Sequence, residues 1–371
     1  MRTRWLILAV VPILASCDSI LLGDDEPIIS LEENLQIPPA LTDGWEVSDL
    51  ASQNIDAARI QQVITSLQAR PSNIHSMVIV RNNKLVAESY FTGWHRDRVH
   101  ALRSVSKTFM STLTGIAIDK GYYSVDHPVA DFLPEYAGLM IDKKQILIKH
   151  LLTMTSGIDW DEKTYEPEDP RNDETSFDRS DDRLRFLFEN PMAFAPGEHF
   201  EYNSALPVVE SAIIQKTTGM HSTAFADEHF FKPLGITNYF WRTDENDGYV
   251  TAIGPLFLTP RDMAKLGQVF LDSGVWKGQR IISKQWVKDA TKTFIGNEDF
   301  ADGYGYHWWT ARFVVSGENV RVYFARGSGG QYIFVVPALN AVVVFTSGNY
   351  SQNQSGPVGI LTNAIIPAMK Q

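Results

Sequence analysis

The sequence predicts a mixed α/β (α+β) fold in which one antiparallel sheet is assembled from both ends of the chain, with a helical lobe inserted. Short runs rich in β-branched and aromatic residues occur near both ends, whereas the middle follows helical periodicity. Strands separated in this way can share one sheet if the segment between them packs as a unit of its own. We therefore expect a sheet lobe at about 46–103 and 300–371 and a helical lobe at about 104–299, which together form one domain over 46–371.

Local patterns predict the individual elements. Apolar residues spaced at about 3.6 predict a first helix over 55–67. Asn82 and Asn83 tolerate the positive φ angles of a tight hairpin turn and lie between two β-rich runs. Helices are predicted through 106–290, where glycines follow several apolar-periodic runs as C-caps. The predicted strands are 76–80, 84–90, 304–310, 320–326, 331–336 and 341–346, and a last helix is predicted at about 356–369.

The N-terminus has the pattern of an exported lipoprotein. A basic start precedes an apolar run over 5–13, which is too short to span a bilayer as a helix. The run leads to Leu14-Ala-Ser-Cys17, which matches the cleavage and acylation sequence of bacterial lipoproteins. We expect a signal peptide over 1–16, a lipidated Cys17 with a flexible tether over 17–45, and anchoring in the bacterial cell envelope, facing the periplasm or the exterior. An ordinary secretory signal is the alternative.

The charge balance limits the possible partners. The chain of 371 residues carries 33 Lys and Arg against 44 Asp and Glu, and this net charge of −11 repels nucleic acid. The sequence has no clustered Cys/His set or His-Glu-x-x-His motif, so no catalytic metal or cofactor is predicted. The expected partners are a small-molecule substrate and, through Cys17, a membrane, and the oligomeric state stays open.

The residues best suited to chemistry lie at the start of a predicted buried helix. Ser104-Val-Ser-Lys107 opens a run in which Phe109 and Leu113 belong to an apolar stripe that ends at Gly121. Positions i and i+3 share a helix face, so the amine of Lys107 is expected to reach the hydroxyl of Ser104. Burial lowers the pKa of a lysine, which would let Lys107 act as the base that activates Ser104. A solvated helix start is the alternative, because this spacing also occurs by chance.

Five further segments extend the pattern in order along the chain: 126–134, 148–157, 196–204, 258–267 and 327–337. Together with Ser104-Val-Ser-Lys107, they resemble the serine β-lactamase and penicillin-binding-protein superfamily. In motif style the chain is most similar to the 6-aminohexanoate-dimer hydrolase and family VIII esterase branch. The resemblance covers nearly everything from about residue 76 and implies a β-lactamase/DD-peptidase-like fold with the active site between the two lobes.

The resemblance implies roles for three residues of the first two motifs. Ser104 is expected to be the acylated nucleophile, Lys107 the general base, and Tyr202 the group that passes a proton to the leaving group and helps to activate water. The second motif is usually Tyr-x-Asn, whereas this chain has Tyr202-Asn-Ser204, as in the aminohexanoate-hydrolase branch. Ser204 is therefore expected to hydrogen-bond either the substrate amide or Lys107.

The third motif of the superfamily, Lys-Thr-Gly or His-x-Gly, is here Ala-Arg-Gly and ends at Gly327. The resemblance implies that the backbone amides of Ser104 and Ser328 form an oxyanion hole, in which one donor is worth about 3 kcal/mol of barrier. Gly327 and Gly329 are expected to border the substrate, although a plain β-bulge would also account for glycines here. Arg326 either replaces the missing lysine in binding a substrate carboxylate or is a surface charge.

These features predict a serine hydrolase of the amidase or esterase type that forms an acyl-serine intermediate. Linear amides or small esters are favoured over β-lactams, because the third-motif lysine is missing and Ser204 replaces the usual asparagine. A β-lactamase or D-alanyl-D-alanine peptidase acting on cell-wall-type substrates is the first alternative. A non-catalytic peptide-binding lipoprotein is the second.

Other arrangements of catalytic residues have less support in the sequence. A Ser-His-Asp hydrolase would need Gly-x-Ser-x-Gly, and Arg326 occupies the first glycine position around Ser328. His100, four residues before Ser104, is interpreted as structural. The acidic segment 159–182 is either a loop over the cleft or a solvated face.

Overall fold

The computed structural model describes residues 37–69, 73–166, 169–251, 254–296, 301–350 and 356–369. The predicted signal peptide and the lipidated Cys17 lie outside these residues. The strands within them are β1 (Glu46–Val47), β2 (Ile74–Arg81), β3 (Lys84–Tyr90), β4 (His100–Ala101), β5 (Tyr239–Trp241), β6 (Leu256–Leu258), β7 (Val275–Trp276), β8 (Gln279–Arg280), β9 (Gly303–Tyr304), β10 (Trp309–Val315), β11 (Glu318–Gly327), β12 (Gln331–Val336) and β13 (Ala341–Ser347).

The α-helices of the same ranges lie mostly between β4 and β9. They are α1 (Ala57–Ala69), α2 (Val105–Asp119), α3 (Ile148–Leu152), α4 (Asp173–Asp178), α5 (Arg183–Glu189), α6 (Leu206–Thr218), α7 (Ser222–Ala226), α8 (Pro260–Leu271), α9 (Lys284–Ala290), α10 (Gly356–Ile360) and α11 (Ile366–Met369). A π-helical segment, Leu361–Ile365, joins α10 to α11, so the predicted C-terminal helix is continuous. None of the described helices is both long and apolar enough to cross a membrane.

The main sheet has eight strands in the order β1-β3-β2-β13-β12-β11-β10-β9. All neighbouring pairs are antiparallel except β1 and β3. The two ends of the chain meet where β13 pairs with β2, for example at Val343 opposite Ile79. This arrangement confirms the predicted antiparallel sheet built from both chain ends.

The sheet is buried at its centre because helices cover it. Every residue of β12 and β13 is buried, and α8 packs against both strands and against β2. Gly267 of α8 permits this close contact, since a Cβ at that position would lie 2.5 Å from Cγ1 of Val342. Helix α8 therefore belongs to the packing of the sheet, although its residues fall within the range predicted as the helical lobe.

Helix α2 is the buried helix predicted after Ser104. It packs on α6 and β11, and nearly all of its residues from Val105 to Ala117 are buried. Gly115 lies against the indole of Trp286, where a Cβ would approach within 2.4 Å of the ring. The helix ends just before Gly121, which has a φ of +83° as expected of a helix-terminating glycine.

Two parts of the fold differ from the prediction. The predicted strand over 304–310 is interrupted between β9 and β10, where His307 has a φ of +56°. Strands also occur within 106–290, where mostly helices were predicted: the β7-β8 hairpin, and β5 and β6 of a second sheet with the order β4-β6-β5. Its strands have two or three residues each, too few to show an alternating pattern.

Candidate active site

Ser104 lies directly before α2 with helical dihedral angles, φ −65° and ψ −10°. Lys107 follows within the first turn, and its Nζ atom donates a hydrogen bond of 3.1 Å to Oγ of Ser104. The lysine side chain is buried, because α2 enters the core directly after Ser104. The i, i+3 spacing thus brings the two groups together as predicted.

Tyr202 comes to the same place from the segment before α6. Its ring centroid lies 5.1 Å from Nζ of Lys107. The ring stacks on Trp309 of β10, with centroids 6.1 Å apart and planes inclined by 16°. The main sheet and the helical region therefore both contribute to the placement of the phenol beside the lysine.

The pKa of Lys107 differs from the sequence-based expectation. Burial lowers it, but the electrostatic interactions of the amine with Tyr202, Glu162 and Glu174 outweigh this effect, so the pKa is raised above its ordinary value. The expectation of a lowered pKa was wrong because it considered burial alone.

Ser204 donates its hydrogen bonds to the carboxylate of Glu162 rather than to Lys107. Its backbone N–H donates to Oε2 of Glu162 at 2.8 Å, and its hydroxyl donates to Oε1 at 2.9 Å. The indole N–H of Trp160 donates to Oε2 of the same carboxylate at 2.7 Å. Three donors thus fix Glu162 beside the second motif. The sequence had pointed only to an acidic segment over 159–182 and not to this residue.

Glu174 of α4 is a second carboxylate from the acidic segment near the site. Its side chain is mostly buried, and burial, followed by the charge of Glu162, raises its pKa to about 7. The charge of Lys107 and the nearby hydroxyl of Ser204 act in the opposite direction. Part of the acidic segment is therefore an inner wall of the site rather than a solvated face.

The third motif lies against the chain that leads to Ser104. A Cβ at Gly327, the last residue of β11, would lie 2.3 Å from the carbonyl oxygen of Leu102 and 3.2 Å from Cβ of Arg103. The turn to β12 then has positive φ angles at Gly329 and Gly330, +86° and +94°. Glycine at 327 thus lets the turn approach the nucleophile, and Ser328 is exposed at its tip.

A small cavity opens beside Lys107. Arg103, Lys107 and Ser204 line one part of it, and Trp241 and Thr251 line another. The last two belong to β5 and the chain that follows, which the sequence did not identify as part of the site. Their short strands and irregular connection gave no motif by which to find them.

A buried hydrogen-bonded pair lies behind the site. Nε2 of His307 is 2.7 Å from Oε1 of Glu210 in α6, and both side chains are fully buried. Thr114 donates to the other carboxylate oxygen at 2.9 Å, and Thr108, next to Lys107, donates to the carbonyl oxygen of His307 at 2.7 Å. The pair therefore ties α2 and α6 to the break between β9 and β10.

His100 has the structural surroundings predicted for it. Its ring is buried, with Nε2 at 2.8 Å from Nδ1 of His75 and Nδ1 at 3.1 Å from the carbonyl oxygen of Ala101. Burial lowers the pKa of His100 to about 3, so the ring is neutral. Neither nitrogen is directed at Ser104 through a hydrogen bond of the described residues.

The chain is similar in sequence to a known protein family and to two named hydrolases. The Beta-lactamase family model matches residues 60–360. The 6-aminohexanoate-dimer hydrolase of Paenarthrobacter ureafaciens is 27% identical over 284 residues, which cover 72% of this chain and 71% of that protein. Esterase EstB of Burkholderia gladioli is 30% identical over 173 residues, which cover 44% of this chain and 42% of that protein.

A solved family VIII carboxylesterase has a similar fold. The two structures give a TM-score of 0.67 over 86% of this chain and 99% of the esterase. At 15% sequence identity this likeness concerns the fold alone. The family match spans both parts of the main sheet and all the segments around Ser104, Lys107 and Tyr202, and the chain belongs to the Beta-lactamase family.

Proposed function

We propose that this protein is a serine hydrolase that cleaves an amide or ester through an acyl intermediate on Ser104. The observation that carries the proposal is the hydrogen bond of 3.1 Å between Lys107 and Ser104 at the start of a buried helix, with the ring of Tyr202 5.1 Å from the same amine. A serine hydroxyl needs a neighbouring base to become a nucleophile, and this arrangement supplies one.

In the proposed mechanism, protons pass among the side chains of Lys107, Ser104 and Tyr202. Lys107 acts in the neutral form, so it first gives one proton to solvent, and its raised pKa opposes this loss. The neutral amine then accepts the proton of Ser104 as Oγ attacks the substrate carbonyl. Tyr202, beside the amine, gives its hydroxyl proton to the departing alcohol or amine and recovers a proton from Lys107. Water then attacks the acyl-serine, its proton passes to Lys107, and Lys107 returns a proton to Oγ of Ser104 as the acid product leaves.

The developing oxyanion is assigned to the backbone amides of Ser104 and Ser328. The close approach of Gly327 to the carbonyl oxygen of Leu102 supports this assignment, because it holds the turn with Ser328 next to the nucleophile's chain. Donors fixed by the backbone need no rearrangement as charge develops. Gly329, with its positive φ angle, shapes the same turn and borders the substrate in this proposal.

The proposed substrates are linear amides or small esters. The names of two relatives, a 6-aminohexanoate-dimer hydrolase and an esterase, support this class. The third motif is Ala-Arg-Gly and lacks the lysine of penicillin-recognising members, which argues against β-lactams. One relative, from Bacillus subtilis, is named as a penicillin-binding protein. The test therefore includes substrates for the cell-wall alternative.

Turnover of a substrate panel tests the proposal. We expect the purified protein to hydrolyse p-nitrophenyl esters or the linear aminohexanoate dimer, and we expect Ser104→Ala and Lys107→Ala to lose at least a hundredfold in kcat. Efficient turnover of nitrocefin would favour the β-lactamase alternative. A folded protein that turned over none of these substrates and bound a cell-wall peptide would favour the non-catalytic alternative.

We also propose that the chain is exported and anchored through lipid on Cys17, with a tether that begins at residue 18. The tether ends before residue 45, where the prediction placed its end, because Trp45 is buried and Asp43 pairs with Arg261 at 2.8 Å. The basic start, the short apolar run and Leu14-Ala-Ser-Cys17 support export and anchoring. Several acyl chains would hold the protein firmly at a membrane, since each buried CH₂ contributes about 0.8 kcal/mol. Expression in a bacterium with labelled palmitate should label the wild-type protein and not Cys17→Ser. Equal labelling, or none, would contradict the anchor.

A further inference from the structure

Arg103, the residue before Ser104, places a cation at the cleft without a carboxylate partner. Its half-exposed side chain lines the cavity together with Lys107 and Ser204. Among the described residues, no Asp or Glu forms an ion pair with it. Its guanidinium instead faces Tyr350, with Nε 3.4 Å from the phenolic oxygen and Cζ 5.0 Å from the ring centroid. These contacts orient the guanidinium and leave its charge uncompensated.

The guanidinium lies between the nucleophile's chain and the third motif. Tyr350 covers Gly329, where a Cβ would lie 2.6 Å from Cε1 of the tyrosine ring. The backbone N–H of Asn349 holds this segment by donating to the carbonyl oxygen of Gly329 at 2.9 Å. On the other side, Gly327 lies against Cβ of Arg103. A group held by Arg103 would therefore lie next to the proposed oxyanion hole.

The backbone conformation does not account for an arginine at this position. Arg103 has a φ of +52°, in the left-handed region that glycine and asparagine adopt at lower cost. Residues held in such conformations are concentrated at functional sites. What distinguishes arginine here is its planar, permanently charged guanidinium, which binds carboxylates through two parallel hydrogen bonds.

Arg326 was the cation that the sequence suggested for a substrate carboxylate, but its side chain already hydrogen-bonds another residue of the protein. It lies on β11 opposite Tyr332 of β12, and its side chain hydrogen-bonds the hydroxyl of that buried tyrosine. Arg103 has no comparable buried partner. Of these two arginines, Arg103 is thus the one available at the mouth of the site, one residue from the nucleophile.

We propose that Arg103 is the carboxylate-binding residue of the cleft and that the substrate carries a carboxylate close to its scissile bond. This inference rests on the proposed serine-hydrolase function and names the substrate class. A local cation is needed for such a substrate, because the chain as a whole carries a net charge of −11 and repels anions.

Matched chromogenic substrates test the inference. One pair places the charge in the leaving group, 4-butyryloxybenzoate against 4-butyryloxybenzamide. The other places it in the acyl group, glutaryl p-nitroanilide against pentanoyl p-nitroanilide. The variants are Arg103→Asn, which suits a positive φ, Arg103→Lys, which keeps the charge, and Arg326→Gln. Arg312→Gln is the control, since Arg312 is exposed and paired with Asp302.

We expect the wild-type protein to prefer the anionic member of at least one pair. Arg103→Asn should lower kcat/KM for that member roughly ten- to hundredfold, mainly through KM, and change kcat/KM for the neutral member less than about threefold. Arg103→Lys should retain part of the preference. The preference should also fall between low and high salt, because an exposed charge pair is screened.

Three results would overturn the inference. They are an equal loss for charged and neutral members in Arg103→Asn, a loss of preference in Arg326→Gln alone, and a wild-type protein with no preference for either anion. Turnover of the neutral esters separates the two proposals. If neutral esters are cleaved without any effect of charge, the Arg103 assignment fails and the serine hydrolase stands, whereas a folded protein that cleaves neither esters nor amides refutes both.

Discussion

Replacement of Glu174 by glutamine should stabilise the protein at neutral pH and leave its stability at acidic pH nearly unchanged. The pKa of Glu174 is about 7 in the folded protein, against an ordinary value of 4.5, chiefly because the carboxyl group is buried and secondly because Glu162 is near. Below its unfolded pKa, a carboxyl group whose pKa is raised by folding is protonated in both the folded and the unfolded state. It therefore does not lower the free energy of unfolding there. As pH rises through 4.5 toward 7, the unfolded state ionises first, and the folded state loses stability relative to it.

The size of the effect follows from the same pKa. One pKa unit corresponds to about 1.4 kcal/mol, so complete ionisation of Glu174 costs the folded protein about 3 kcal/mol. Between pH 5 and pH 8, this amounts to roughly 2.5 kcal/mol. Glutamine keeps the shape of the side chain and cannot ionise, so Glu174→Gln should gain that amount over the wild-type protein across this interval.

Urea unfolding at pH 5, 6, 7 and 8 measures the difference directly. Glu198→Gln is the matched control, because Glu198 is exposed, and its difference from the wild-type protein should not change with pH by more than a few tenths of a kcal/mol. A constant difference for Glu174→Gln across the series, or one that decreased with pH, would refute the reasoning.

Three further predictions concern the proton path and its support. Glu174→Gln should also lower the pKa of Lys107, because it removes one of the charges that raise this pKa. The rising limb of kcat/KM against pH should therefore move to lower pH, and a limb that did not move would contradict this prediction. Tyr202→Phe should lower kcat on amides roughly 10²- to 10⁴-fold with little change in unfolding free energy, and an activity within a few-fold of wild type would remove Tyr202 from the path. Glu210→Ala should destabilise the fold by about 3–5 kcal/mol in urea unfolding, because it leaves His307 buried without its partner. A loss below about 1 kcal/mol would show that the pair is not structural.

Features set by neighbouring residues could be predicted from the sequence. The spacing of Ser104 and Lys107 on a helix fixes their contact at 3.1 Å without reference to the rest of the chain. The hairpin at Asn82 and Asn83 is equally local, and both residues have positive φ angles, +51° and +63°. Strand β12 has the predicted bounds, since a turn with defined chemistry flanks each of its ends.

Features set by the tertiary structure could not be predicted in this way. Glu162 and Glu174 lie in an acidic run whose composition is that of a solvated loop, and only the fold brings them to Ser204 and Lys107. The pKa of Lys107 depends on these partners, so burial alone gave the wrong direction. The break at His307 coincides with its contact with Glu210, nearly a hundred residues away in the chain, and no local signal marks it.

Covalent labelling of the folded protein with a fluorophosphonate, followed by peptide mass spectrometry, tests the central claim most directly. The claim predicts a single stoichiometric adduct on Ser104, formed much more slowly in Lys107→Ala and not at all in Ser104→Ala. An adduct on a different residue, or no adduct on a folded wild-type sample, would contradict it.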